Sequence, residues 1–251
     1  MMADPPVWTP YCGAAPAPGA WLDRWNLDPL LLAALLGLVA VFHLRREADR
    51  PVRPGAFWPA FGLLALLFVS PLCALSSALF SVRVTHHVLL AAVVAPLLVW
   101  SAPRERWPAA GPLAAATAVH AAVFWAWHAP GVYAWALSHD WAYWLMQAAL
   151  LGSALAFWIA VRRAAAPAAA AALLATTVQM GLLGALITFS ATPLYAPHLA
   201  STPAWGFTPL EDQQLGGLIM WAPAAALYLG AALLLFGRWL AGEGRPAAIA
   251  S

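Results

Sequence analysis

The sequence contains no lysine, few acidic residues and only two cysteines. Charged side chains make up 9% of its 251 residues and hydrophobic side chains 63%, which excludes an ordinary soluble domain and predicts an integral membrane protein. It has no basic run suited to nucleic acid and no glycine-rich phosphate-binding motif. Neither a nucleophile–base pair nor paired catalytic carboxylates are present, so we expect a protein that is not an enzyme and binds no nucleic acid.

The hydrophobic residues fall into about seven segments, each near the roughly 20 residues that cross a bilayer core. These segments are 28–44, 56–76, 84–102, 110–128, 141–161, 168–190 and 214–237. Asp28 as N-cap and Pro29 at the first helical position give the first segment a defined start. We therefore predict an all-α fold with seven transmembrane helices in one bundle. Residues 1–27 form an outer segment, 28–240 the transmembrane domain and 241–251 a cytoplasmic tail.

The distribution of arginine predicts the orientation of the bundle. With seven spans, ten of the twelve arginines fall on one side: Arg45, Arg46, Arg50, Arg53, Arg104, Arg106, Arg162, Arg163, Arg238 and Arg245. Only Arg24 and Arg83 fall on the other side. Because arginine is retained on the cytoplasmic side, we expect the N-terminus outside and the C-terminus in the cytoplasm of a multi-pass protein of the bacterial inner membrane.

This threading places most polar side chains near the outer boundary. They are His86, His87, His128, His139, His198, Cys12, Cys73, Tyr133, Tyr195, Glu211, Asp212, Gln213 and Gln214. His120 falls at mid-depth of the fourth span, and His43 near the inner boundary. Polar rings are costly in hydrocarbon and often mark a functional interior, so any chemistry is expected at the outer face.

Each histidine has two interpretations. His86 and His87 are either metal ligands or interfacial residues at the start of the third span. Their rings stand about 100° apart on a helix, so binding one ion would require partners from other spans. His128 ends a tryptophan-rich run and is either a ligand or part of an interfacial aromatic belt. His198, in a proline-rich loop, is either functional or merely solvated.

The sequence also leaves the roles of the sulfur-containing residues undecided. Cys12 and Cys73 form a disulfide, act as soft copper ligands, or stay separate inert thiols. A buried methionine is ordinarily a packing residue, and Met220 is the one we expect as a thioether ligand.

A long loop over 191–213 is expected to form a packed outer lid before the last span. Asp212 and its neighbours suit the positive end of that helix and are able to cap it. Gly216 and Gly217 allow a close approach between helices.

An ordered series of short motifs resembles the CtaG-type cytochrome c oxidase assembly proteins, a family of polytopic membrane proteins. The motifs are Tyr11-Cys12-Gly13, Trp25-Asn26-Leu27-Asp28-Pro29, Ser70-Pro71-Leu72, His86-His87-Val88-Leu89-Leu90, Ala95-Pro96-Leu97-Leu98, Trp127-His128-Ala129-Pro130 with Tyr133, Gly184-Ala185-Leu186-Ile187-Thr188-Phe189, Pro193-Leu194-Tyr195, and Asp212-Gln213-Gln214 leading to Met220-Trp221. The resemblance covers nearly the whole chain. It implies an assembly factor for haem–copper oxidases that supports formation of a copper centre, with oxidase subunits and periplasmic copper chaperones as partners.

The chain departs from the family pattern at two places. A histidine is common four positions before the one matching His87, where this chain has Arg83. A His-x-x-Glu-His-like motif is common at the start of the fifth span, where this chain has Tyr143-Trp144-Leu145-Met146-Gln147. The carried-over candidates for copper are His86, His87 and His128, with Met220 as a fourth ligand. Imidazole and thioether donors suit copper, whereas a hard cation would need clustered carboxylates.

Two other functions stay open on the sequence. Intramembrane histidines, notably His120, are compatible with a transporter of copper or another small solute. His87 and His128 lie toward one boundary, so an integral-membrane haem or quinone enzyme is also conceivable.

Overall fold

The computed structural model describes Trp8 and residues 10–47, 52–104, 107 and 111–242. Arg50, Arg106, Arg245 and positions 243–251 of the predicted tail lie outside the described residues. The longer helices are α1 (Pro29–Glu47), α2 (Pro54–Phe68), α3 (Leu72–Ala78), α4 (Phe80–Leu89), α5 (Ala95–Ser101), α6 (Leu113–His128), α7 (Pro130–Ala136), α8 (Asp140–Arg163), α9 (Ala166–Thr188), α10 (Pro209–Ile219) and α11 (Ala225–Leu240). Within these ranges there is no strand, so the all-α prediction is confirmed.

Five helical segments are long and apolar enough to cross a membrane, which identifies a multi-pass membrane protein. They are Pro29–Arg46, Phe80–Ser101, Asp140–Arg163, Ala166–Thr188 and Pro209–Leu240. A sixth crossing results if α2 and α3, which meet at a 49° bend, count as one span. The predicted fourth span corresponds to α6, which has 16 residues and is shorter than a usual crossing. Seven crossings and the orientation therefore stay predictions.

Helix starts follow local chemistry. The backbone N–H groups of Leu30 and Leu31 donate to the Asp28 carboxylate at 2.8 and 3.0 Å, which confirms the predicted cap. The third span begins at Phe80 rather than at position 84, so His86 and His87 lie well inside the helix. The pair therefore does not cap the start of this helix, and its position at the membrane interface stays a prediction.

One end of the bundle, which we call the arginine end, is held by arginine contacts. Its hydrogen bonds join the Arg53 amide to the Ser101 carbonyl (2.8 Å), the Arg162 guanidinium to the Val99 and Ala102 carbonyls (2.6 and 2.7 Å), and the Arg104 guanidinium to the Arg163 carbonyl (2.6 Å). These partners lie where α5 and α8 end. Arginines that the sequence places on one side thus converge in the fold.

The opposite end, which we call the histidine end, contains the start of α4, the α9–α10 loop and the N-terminal segment. A disulfide joins Cys12 to Cys73, with a sulfur–sulfur distance of 2.01 Å. Asn26 donates from its backbone to the Val69 carbonyl and from its side chain to the Phe68 carbonyl. The N-terminal segment is therefore fastened to the bend between α2 and α3. Of the three states expected for the cysteines, the structure has the disulfide.

Helices α9 and α10 approach each other closely through glycine. A Cβ atom added at Gly184 would lie 2.7 Å from the Gly217 carbonyl oxygen. One added at Gly216 would lie 2.6 Å from the Phe80 ring. The close approach predicted at Gly216 and Gly217 is present, and it brings the start of α10 against α4.

Candidate metal and ligand site

A group of buried polar side chains lies inside the histidine end. They share one property: each has at least one nitrogen or oxygen atom without a hydrogen-bond partner among the described residues. We call this group the polar core, and its members are Arg83, His86, His87, His128 and Gln147. Buried polar atoms in proteins are almost always partnered, so a cluster of exceptions calls for a ligand or water.

His128 has the arrangement of a ligand. It ends α6, and its Nδ1–H donates to the Phe124 carbonyl oxygen at 2.7 Å. This bond fixes the neutral tautomer with its lone pair on Nε2, and Nε2 has no partner. In histidines that bind metals, the other ring nitrogen commonly makes a hydrogen bond of this kind, which orients the ring.

His87 on α4 lies beside His128 at the end of α6. The two ring centroids are 5.5 Å apart and the planes are nearly perpendicular, at 88°. Neither ring nitrogen of His87 has a partner within the described part of the chain. The pair thus offers two imidazoles with available nitrogens on different helices.

The ring of His86 does not join the pair of His87 and His128. Its ring lies 6.0 Å from that of His87 and packs edge-on against Phe68 at 4.7 Å. Among the described residues, no three His, Cys, Asp or Glu side chains form a group able to hold a metal ion. The structure therefore brings His87 and His128 together but adds no third member of these types.

Met220 is fully buried in a π-helical turn, Met220–Ala224, between α10 and α11. This turn packs against α4, the helix of His86 and His87. A second π-helical turn, Leu90–Val94, follows α4 directly. Such turns occur frequently at functional sites.

Tyr133 and His198 form a buried pair beside the polar core. The tyrosine hydroxyl and His198 Nε2 are 2.6 Å apart. His198 is 2% exposed, so the expectation that it is merely solvated is wrong. Burial, helped by the nearby charge of Arg83, lowers the pKa of His198 to about 3. The pair is therefore neutral at physiological pH.

The lid predicted over 191–213 is packed against the helices. Tyr195, which is 3% exposed, donates from its hydroxyl to the His128 carbonyl at 2.9 Å. Gln213 accepts from the Leu194 amide at 2.6 Å and donates to the Ile187 carbonyl at 3.2 Å. Gln213 thus holds the lid and does not face the polar core through these bonds.

Asp212 joins α10 to α4. Its carboxylate accepts from the Phe80 amide (2.6 Å), the Ser81 amide (3.2 Å) and the Ser81 hydroxyl (2.5 Å). The sequence predicts a cap for its own helix, but that role belongs to Thr208 and Glu211, which form a capping box. Asp212 instead caps α4 and so positions the helix that carries the two adjacent histidines.

Sequence reasoning treats Arg83 as a lost ligand and as one of two arginines on the outer side, whereas the structure makes it the largest fully buried side chain of the described residues. Its guanidinium carbon lies 5.2 Å from the centre of the Tyr143 ring. Gln147, one turn after Tyr143 on α8, was also missed. A charged residue one turn before a histidine pair in an apolar helix is the signal that identifies this position.

His120 differs from the polar core because both its ring nitrogens have partners. Nδ1 is 3.3 Å from the Ser153 hydroxyl and Nε2 is 3.2 Å from the Tyr228 hydroxyl. A partnered histidine of this kind is typical of a structural crosslink between helices.

The donors of the site suit copper in part. Unpaired imidazole nitrogens on His87 and His128, with a buried thioether on a neighbouring turn, are soft to intermediate ligands that copper accepts. Arg83, one turn before His87 on α4, places a positive charge nearby that opposes binding of a cation. The chemistry therefore fits a low-charge, weakly coordinated copper ion better than a hard divalent one.

A comparison with protein families gives one match. The model of the cytochrome c oxidase caa3 assembly factor family (Caa3_CtaG) matches residues 36–242, which include every member of the polar core. No curated protein and no solved structure matches the chain.

Proposed function

Since the chain belongs to the cytochrome c oxidase caa3 assembly factor family, we propose that it supports formation of a copper centre in the oxidase by holding copper transiently in its histidine end. The family assignment makes it an assembly factor associated with cytochrome c oxidase. The observation that carries the copper proposal is the pair of His87 and His128. Their rings are 5.5 Å apart, and both nitrogens of His87 and the Nε2 atom of His128 have no hydrogen-bond partner among the described residues.

In this proposal the ligands are His87 and His128, with Met220 as an additional donor. Bound copper would supply the ion that the oxidase centre incorporates. The Phe124 carbonyl keeps His128 in the tautomer that presents Nε2. Asp212 keeps α4 in place, and the buried surroundings exclude water from the ligands.

We further propose that the histidine end faces the outer side of the bacterial inner membrane. The convergence of four arginines at the opposite end supports this orientation, because arginine is retained on the cytoplasmic side. The disulfide also supports it, since disulfides persist in oxidising compartments. Copper would then come from periplasmic copper chaperones, and the role would be one of delivery rather than catalysis.

The alternative function, a copper or small-solute transporter, depended on His120 at mid-depth. Its hydrogen bonds to Ser153 and Tyr228 favour a structural role and argue against a path through the membrane. Copper uptake into proteoliposomes that is lost in His120→Ala would favour transport instead. Assembly without transport predicts no uptake in either protein.

The test of the proposal is a deletion strain assayed for oxidase activity and for copper per haem in the purified oxidase. We expect both to fall and to recover when the gene is restored. Normal activity with normal copper content in the deletion strain would contradict the assembly role. Loss of activity with a normal copper-to-haem ratio would contradict the copper step and leave assembly in place.

A further inference from the structure

We propose that the polar core contains a binding site for a small carboxylate, held by the guanidinium group of Arg83. The observation behind it is a fully buried arginine whose five N–H donors form no hydrogen bond of ordinary geometry among the described residues, with the Tyr133 and Tyr143 hydroxyls as polar neighbours close to the guanidinium. The ligand is an anion rather than copper, and its site shares the polar core with the proposed copper ligands.

The positive charge of Arg83 is permanent. Arginine does not lose its proton in proteins, so burial leaves a charge and five N–H donors away from bulk water. The cost of burying an unpaired ion stays large even after the protein relaxes. Cation–π contact with Tyr143 at 5.2 Å offsets only part of this cost.

The carboxylates in the described part of the chain are either bound to other groups or exposed. Asp212 is the one buried acidic residue of the described chain, and its oxygens accept from Phe80 and Ser81 at the start of α4. Asp23, Asp140 and Glu211 are exposed. Among the described residues no other carboxylate is buried, so an anion bound from solution would balance Arg83 locally.

Neighbouring groups provide further donors. Burial raises the pKa of the Tyr133 hydroxyl, so the hydroxyl keeps its proton and donates it to His198 Nε2, 2.6 Å away, which leaves the N–H of His198 on Nδ1. Unpaired nitrogens also remain on His86 and His87, one turn along the same helix, and on His198. A buried anion in the polar core thus has hydrogen-bond donors besides the guanidinium.

A carboxylate matches this donor set better than a halide. The guanidinium presents parallel N–H bonds in a planar fork, which pair with the two oxygens of a carboxylate. Close packing by aromatic rings, including Phe68 against His86 at 4.7 Å, limits the ligand to a small molecule or a small terminal group.

The experiment measures the binding of radiolabelled formate by equilibrium dialysis. It uses the purified full-length protein in detergent, without copper and at constant ionic strength. We expect saturable binding of about one formate per chain in the wild type. Arg83→Gln removes the charge, and Arg83→Lys keeps the charge but removes the planar fork. Both are expected to weaken binding at least tenfold. Arg24→Gln is the matched control, because Arg24 is an exposed arginine at the same end.

Several results would overturn the proposal. Absence of saturable formate binding to the wild type would leave water as the partner of Arg83. Equal binding in Arg83→Gln, or unchanged binding in Arg83→Lys, would remove the guanidinium from the site. Chloride that displaces formate at equal concentration would contradict the assignment to carboxylates. If Arg83→Gln does not fold, the lysine variant still decides the question.

Discussion

The contact between Asp212 and the start of α4 is the interaction on which the position of the polar core most depends. The carboxylate accepts three hydrogen bonds from Phe80 and Ser81, and α4 carries Arg83, His86 and His87 a turn or two further along. Asp212→Asn keeps the size of the side chain. It removes the negative charge and turns one acceptor into a donor that faces the amides of α4.

The expected loss follows from these bonds. Hydrogen bonds to a charged group contribute about 1.5–3 kcal/mol each, and asparagine retains one acceptor, so Asp212→Asn should lower the free energy of unfolding by about 4 kcal/mol. Ser81→Ala removes the shortest of the three bonds. The two substitutions act on the same interaction, so a double-mutant cycle should give a coupling energy of about 1–2 kcal/mol.

The assay is reversible unfolding of the purified protein in mixed micelles, followed by tryptophan fluorescence. Glu211→Gln is the control, because it neutralises the adjacent carboxylate while glutamine still completes the capping box with Thr208. It should cause a much smaller loss. Additive effects of Asp212→Asn and Ser81→Ala, within about 0.5 kcal/mol, would refute the proposed linkage between α10 and α4.

Three other expectations concern packing, the disulfide and pH. Gly217→Ala should cost about 1–3 kcal/mol because the added Cβ meets the Gly184 carbonyl at 2.7 Å, whereas Gly230→Ala meets nothing within 4 Å and should leave the melting temperature unchanged. A Cys12→Ser/Cys73→Ser variant, which opens a loop of 61 residues, should lose about 2–4 kcal/mol, and a melting temperature equal to that of the wild type would contradict this. Burial lowers the pKa of His198 to about 3 in the folded protein, so the unfolded chain binds a proton first as pH falls below 6.5. His198 should therefore lower stability by up to about 1.4 kcal/mol per pH unit between pH 6 and 4, and His198→Gln should flatten this slope while the exposed-site variant His139→Gln should not.

The sequence predicts the helical class because the hydrophobic segments are long and continuous. It also predicts local features such as the Asp28 cap and the close approach at Gly217, since these depend on neighbouring residues or on side-chain size. Helix boundaries at Phe80 and Pro209 are missed, because polar residues at the start of these helices are stabilised by contacts with other helices.

The features that the sequence does not predict depend on contacts between residues far apart in the chain. The role of Asp212 depends on a helix about 130 positions earlier in the chain, and no local pattern shows which amides it will meet. Arg83 is identifiable as a charge in an apolar helix, but its burial and lack of partners follow from the packing of the surrounding helices. The meeting of His87 with His128 depends in the same way on the rotation of α4 and α6.

We propose that copper bound by His87 and His128 together is the copper that reaches the oxidase. The most direct measurement is copper per haem in oxidase purified from a deletion strain that carries either the wild-type gene, His87→Ala/His128→Ala, or His139→Ala as an exposed control. We predict wild-type copper content with His139→Ala and a large deficit with the double variant, at equal levels of the assembly protein in the membrane. Full copper content with the double variant would contradict the claim.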